Sequence, residues 1–202
     1  MKVTEKSIEL NGKKLTLQFG KLAQAVDTSV YATLGDTAVL VTVATGPENP
    51  ALDYFPMSVE YVEKLYAGGL IKGSRWVKRE GRPSDEAVLV GRLIDRSLRP
   101  LFPKSFKKQV QVVITLLSVD GENAPDVLAC IAASAAVHMS SIPWKGPIST
   151  TRVGYIKQAD SEKGDLDINP DEEGRKFSEM DLVVSSTLEK VVMIETEALM
   201  VD

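Results

Sequence analysis

Apolar and polar residues alternate along the first third of the chain in a way that predicts antiparallel β structure. In SIELNGKKLTLQF, Asn11-Gly12 separates two strand-like runs, and the ease with which glycine takes a positive φ makes the pair a hairpin turn. A second pair, AVDTSVYATLG and TAVLVTVATG, flanks Gly35-Asp36. Its first member is partly polar and its second nearly continuous in β formers, which predicts an outer strand beside a more buried one. Phe55, Met57, Val59 and Tyr61 recur at every second position, the pattern of a strand with one buried face. From Leu65 to Ser84 neither period holds and glycines accumulate, so a long loop is expected.

The period then changes to that of a helix. Ser84 is a candidate N-cap, and Asp85 and Glu86 place negative charge in the first turn. Val90, Ile94, Leu98 and Leu101 form an inward stripe that Pro100 should loosen at its end. Arg92, Arg96 and Arg99 recur on roughly the opposite side. VQVVITLLSV predicts a central strand, and PDVLACIAASAAVHMSS a second helix whose small residues allow close approach to a sheet. TTRVGYI, a polar and acidic excursion over 158–179, DLVVSST and KVVMIETEA complete the chain. Strands, two central helices and further strands predict an α+β fold, a mixed sheet packed with helices, in one domain over 1–202.

Charge changes this picture. The formal net charge is −4, yet Lys72 to Lys108 holds 11 basic and 4 acidic residues, a local +7 against −11 elsewhere. Such a field draws a polyanion to one part of an acidic molecule. Trp76 offers a stacking surface, Lys78, Arg79 and Arg82 offer phosphate contacts, and Gly68, Gly69 and Gly73 allow close approach. Two readings stay open: Trp76 stacks on a base, or it anchors the loop to the core among solvated cations. Arg92, Arg96 and Arg99 likewise either touch phosphate or cover apolar surface with their stems. Asp95 stands four residues before Arg99, where an ion pair would occupy it.

The remaining chemistry is sparse. The single cysteine, Cys130, excludes an internal disulfide and reads as an inert core residue. His138 follows Val127, Ile131 and Ser134 at helical spacing and is expected to be packed in the core. One histidine and one cysteine exclude an ordinary histidine or thiolate metal site, and nothing arranges a hydrolase triad. The acidic excursion is expected to be solvated; Asp181, at the lip of a strand, is better positioned. No apolar run nears the roughly 20 residues that span a bilayer, and MKVTEKSIELNGKK lacks the apolar core of a secretory signal. A cytoplasmic protein without membrane contact is the expectation.

Together DTAVLVTV, KREGRPS, RLIDRSLRPLFP, VQVVITLLSVDGENAPDVLACIAASAA, GPI, RVGYI and DLVVSST span nearly the whole chain, and in this series it resembles the bacterial polynucleotide phosphorylase family. The resemblance implies an amino-terminal first ribonuclease PH-like core, of the ribosomal protein S5 domain 2-like fold, cut from a longer multidomain chain. It further implies phosphate-dependent 3′-to-5′ degradation of single-stranded RNA to nucleoside diphosphates. A homotrimeric ring, partners in an RNA-degradation complex, Mg2+ as cofactor and inorganic phosphate as substrate come with it.

The same resemblance puts the chemistry outside this segment. The family's second core carries an aspartate, a second aspartate at a strand start and a lysine two residues on; the matching positions here are Arg175, Asp181 and Val183. No catalytic residue and no metal ligand is therefore expected. The family's two aromatics before two basic residues match Trp76, Val77, Lys78 and Arg79, so one aromatic is lost and both cations remain. Trp76, Lys78, Arg79 and Arg82 are the implied RNA contacts, with Arg92, Arg96 and Arg99 as further phosphate or RNA contacts. The rival expectation is a purely structural ring module without direct RNA contact.

Overall fold

A computed structural model of the chain describes residues 3–10, 12–71, 73, 81–157 and 164–199. Strands β1 (Thr4–Leu10) and β2 (Lys13–Phe19) form the first hairpin, with Leu10 opposite Lys13 and Gly12 at φ 72°. β3 (Thr28–Leu34) and β4 (Thr37–Glu48) form the second. β5 (Met57–Glu63) leads through a 3-10 turn (Leu65–Gly68) to helix α1 (Asp85–Leu98), a second 3-10 turn (Arg99–Leu101) and β6 (Lys108–Ser118). These strands make one sheet in the order β1-β2-β3-β4-β6-β5, antiparallel except for β5 beside β6. That parallel pair needs a crossover, and α1 supplies it. β3 lies between β2 and β4, not at the outside; the half-buried Tyr31 and Thr33 alternate with Val30, Ala32 and Leu34, which are buried.

Helix α2 (Pro125–Met139) is followed by β7 (Ser149–Lys157), β8 (Gly164–Ile168), the short helix α3 (Glu172–Lys176), β9 (Met180–Ser186) and β10 (Val191–Ala198). The last four strands form a separate antiparallel sheet, β10-β9-β7-β8. β8 falls within the expected acidic excursion: its Asp165 and Asp167 alternate with Leu166 and Ile168, a strand pattern masked by composition. The α+β class holds, with the strands divided between two sheets and both long helices lying between them. α2 packs on β3 and β4 and also on β7, and α1 packs on β5 and also touches β10.

Burial on both sides explains the small residues of α2. Ala129, Cys130, Ala132, Ala133 and Ala136 are all buried, and burial pushes the Cys130 thiol pKa up, with Asp126 adding to the shift. Buried hydroxyls stitch the layers. Ser97 Oγ on α1 lies 3.0 Å from Ser185 Oγ on β9, which lies 2.8 Å from Thr150 Oγ1 on β7, while Ser134 Oγ both donates to and accepts from the Ile148 backbone. His138 is not a core residue. It is exposed in the last turn of α2, where the helix emerges from between the sheets, its ring in an edge-type contact with Trp144.

At the start of α1, Ser84 Oγ accepts from Ala87 N–H at 3.0 Å, the expected cap. The start of α2 is held differently. Asp120, just after β6, accepts from Thr37 Oγ1 and the Glu122 and Asn123 N–H groups through Oδ1, and from Asp36 N–H and Asn123 Nδ2 through Oδ2. The knot joins the β3–β4 turn to the approach to α2 and leaves no room at Gly35: a Cβ there would lie 2.6 Å from Asn123 Nδ2. Partial burial pushes the Asp120 carboxyl pKa up, but the hydrogen bonds from Asn123, Glu122 and Thr37 outweigh it and hold the group well below the usual carboxylate range. Its contribution is thus complete above about pH 4 and is lost as pH falls further. Asp120→Ala should cost on the order of 2 kcal/mol at neutral pH, and its urea-unfolding free energy should decline less steeply than wild type's below about pH 4.

Candidate functional site

Two regions carry the charged residues that matter, one around α1 and one where α2 meets the second sheet. At the end of α1, Arg99 caps the helix and is committed to the fold. Its Nε and Nη2 donate to the two Asp95 carboxylate oxygens at 2.7 and 2.6 Å, and Nη1 and Nη2 donate to the Phe55 and Met57 carbonyls at 3.0 and 2.9 Å. The guanidinium also lies 5.8 Å from the Phe55 ring centroid. It braces the chain entering β5 and has almost no donor left for phosphate. Arg96 pairs with Glu195 of β10, so it ties α1 to the second sheet. Arg92 remains exposed without an ion pair among the described residues.

Arg82 is exposed just before α1 and lines a cleft of about 890 Å3. The 3-10 turn forms one side, with Tyr66, Leu70 and Ile71, and the start of α1 the other, with Ser84 and Ala87. Trp76, Lys78 and Arg79 lie outside the described residues, in the 74–80 segment that connects these sides along the chain.

The second region centres on Arg152, on the inner face of β7. Its Nη1 and Nη2 donate to the two oxygens of Asp126, in the first turn of α2, at 3.3 and 2.9 Å. Its Nε lies 2.8 Å from Asp181 Oδ1 of β9, an ion pair without a hydrogen bond of good alignment. Arg175 Nη2 takes the other oxygen of Asp181 at 3.1 Å. The Arg152 side chain is only 8% exposed and that of Arg175 is 40% exposed. Asp126 Oδ1 also accepts from Val127 N–H, so its charge sits at the positive end of α2.

Sequence reading missed Arg152 and Asp126. The signal was the alternation of TTRVGYI, which puts Arg152 on the same face as Thr150 and Gly154; an inward guanidinium there requires a buried acid. Asp126, one residue after the proline that opens α2, is that acid.

This geometry does not fit a divalent cation. Both oxygens of Asp181 are held by guanidinium groups, Arg175 puts a positive charge where a second acid would be needed, and Val183 is buried with nothing to offer a phosphate. Among the described residues, no group of three or more His, Cys, Asp or Glu side chains is placed to hold a metal. No described helix is long and apolar enough to cross a membrane.

Residues 11–143 match the 3′ exoribonuclease family, domain 1. Polyribonucleotide nucleotidyltransferases of Brucella suis and Brucella abortus are each 50% identical over 192 residues, which is 95% of this chain and 26% of theirs. The chain thus spans about a quarter of the length of these curated relatives. Among solved structures, rice Rrp46 superposes with a TM-score of 0.71 at 14% identity, covering 93% of this chain and 81% of that one. The Archaeoglobus fulgidus exosome with RNA bound to the active site gives 0.68 at 16% identity, covering 100% and 79%.

The two guanidinium groups of the second region should differ sharply in weight. Arg152→Ala leaves Asp126 buried and uncompensated and should cost about 3–5 kcal/mol, whereas Arg175→Ala, at the surface, should cost about 1 kcal/mol or less. Urea denaturation of both variants checks the contrast.

Proposed function

The chain belongs to the 3′ exoribonuclease family, and from that membership we propose that it serves as the first ribonuclease PH-like core of an enzyme of the polynucleotide phosphorylase type. The whole enzyme shortens single-stranded RNA from its 3′ end, using inorganic phosphate and releasing nucleoside diphosphates. The core over 1–202 has no catalytic centre of its own and serves RNA admission and ring assembly. The observation that carries this reading is the state of Asp181, the one acid left at the positions Arg175, Asp181 and Val183, with both its oxygens taken by guanidinium groups. Freeing it for Mg2+ would break a largely buried ion-pair network. Mg2+ and the reacting phosphate accordingly bind outside this segment, in a cytoplasmic homotrimer open to partners in an RNA-degradation complex.

RNA admission falls to Trp76, Lys78, Arg79 and Arg82. Arg92 is free to extend the phosphate track, while Arg96 and Arg99 support its geometry through Glu195, Asp95 and the carbonyls before and within β5. The rival, a structural module without RNA contact, draws on a different observation. The outer face of the second sheet lines up Ile168, Val153 and Leu182 across three strands, and Leu166, Tyr155 and Met180 beside them. Leu166 is 64% exposed, and Ile194 on the same face is 59% exposed. An apolar sheet face of this kind marks a packing surface, and ring assembly accounts for it without RNA. The two roles use different faces and are compatible.

Purified segment incubated with end-labelled single-stranded RNA, phosphate and Mg2+ should release no nucleoside diphosphate; turnover near that of the full-length enzyme would overturn the assignment. In the full-length enzyme, Lys78→Ala combined with Arg79→Ala should raise the RNA dissociation constant and lower the slope of log K against log salt by about 1.4, the loss of two single-strand phosphate contacts. Long substrates should suffer more than very short ones. Unchanged affinity in a correctly assembled trimer would favour the structural module. Light scattering should also show Ile194→Asp loosening the trimer without changing thermal unfolding of the segment; an intact trimer would remove the outer sheet face from the interface.

A further inference from the structure

The cleft between the first 3-10 turn and α1 has features that the cationic loop does not explain. At about 890 Å3 it lies within the roughly 300–1,000 Å3 of ordinary ligand sites. Tyr61, Ala67, Ala87 and Leu116 give it a buried apolar lining. Tyr66, which also lines it, is 58% exposed. Large aromatic rings are usually buried, and this one is held out in water by a well-anchored backbone.

That anchoring is explicit. Ala67 N–H donates to Lys64 O at 2.9 Å, Gly69 N–H to Tyr66 O at 3.0 Å and Leu70 N–H to Leu65 O at 3.0 Å. Val119 N–H, just beyond β6, donates to Ala67 O at 3.1 Å and ties the turn to the large sheet. Just beyond Tyr66 in the chain, a Cβ on Gly68 or Gly69 would meet no atom of the described residues within 4 Å. Among the described residues that line the cleft, Glu63 accepts the Ser84 hydroxyl at 3.0 Å, and the cations are Arg82, which is exposed, and Lys64, which is half-buried. A fixed aromatic face, an apolar wall and a guanidinium in one hollow are what a stacked base with its phosphate requires.

We propose that Tyr66 and Arg82 form a nucleobase-binding site for single-stranded RNA, in which one base stacks on the Tyr66 ring inside the cleft and its neighbouring phosphate pairs with Arg82. The proposal rests on the RNA-admission reading and adds to it a second aromatic platform, in a segment where Val77 leaves Trp76 without an aromatic neighbour. Stacking on a ring face does not distinguish among bases, so the site takes any single strand.

The test uses the full-length enzyme with oligoadenylate and with the same oligomer made abasic at its 3′-proximal positions. Tyr66→Leu should weaken oligoadenylate binding by about tenfold and leave the abasic oligomer's affinity unchanged, while Tyr66→Phe should retain wild-type affinity for both. Arg82→Ala should weaken both and reduce the salt slope by about 0.7. Equal affinity of wild type and Tyr66→Leu for oligoadenylate overturns the proposal, as does an equal loss on both oligomers. If Tyr66→Leu is silent while the Lys78→Ala, Arg79→Ala double variant loses affinity, the cleft falls and RNA admission stands; if both are silent, RNA admission falls as well. Should Tyr66→Leu fail to assemble, photocrosslinking of wild type to a 4-thiouridine-substituted oligomer decides: an adduct within residues 65–71 supports the site, and adducts only elsewhere overturn it.

Discussion

The buried guanidinium of Arg152 joins three elements that are far apart in the chain: β7, which carries it, α2 through Asp126, and β9 through Asp181. Ionic groups inside a protein are tolerable only when each is paired and its remaining donors are used. Here the pairing fixes the second sheet against the helix layer at a defined register. The backbone reinforces it, since Arg152 N–H donates to Asn169 Oδ1 and Asn169 N–H returns to Arg152 O, holding the end of β8 to the same residue. A purely apolar contact between sheet and helix would allow sliding. A bidentate ion pair at the first turn of α2 does not.

The same joint decides what this region can do chemically. A strand start and a helix start converge there, a combination that elsewhere presents carboxylates and backbone N–H groups to a ligand. In this chain the Asp126 carboxylate already occupies the helix end and Arg152 already neutralises it, while Arg175 covers the other side of Asp181. The four charges balance. The ion pairs that fix the second sheet against the helix layer are therefore the same ones that occupy the carboxylates of Asp126 and Asp181.

Much of this was legible in the sequence because local periods report local structure. The Ser84 cap, the inward stripe of α1, the hairpin at Gly12 and the alternation of β5 follow from nearest-neighbour geometry and appear where expected. What escaped was set by neighbours distant in the chain. Alternation in β3 could not say that it has strands on both sides, acidic composition hid β8, and nothing local divides the strands between two sheets. His138 shares the helical spacing of buried residues, but in the last turn of α2 the same face has left the core. The partners of Arg152, 26 and 29 positions away, depend on that same tertiary placement.

Distance in the chain also reshapes the charge argument. The formal +7 of the Lys72–Lys108 segment overstates the field available to a polyanion, because Arg96 is spent on Glu195 from outside the segment; the Arg99–Asp95 pair is already netted within the +7. Arg96 lies in the last turn of α1 and Arg99 just beyond it, where the helix meets β10 and the chain entering β5. Toward the amino end the helix presents Ser84, Asp85 and Glu86, and ahead of them stands Arg82, exposed on the cleft. Internal pairing thus silences the cations that hold the fold together and leaves unpaired charge toward the loop side of the helix. Charge of this kind can draw a polyanion to one side of an acidic protein, because other cations already hold its own carboxylates.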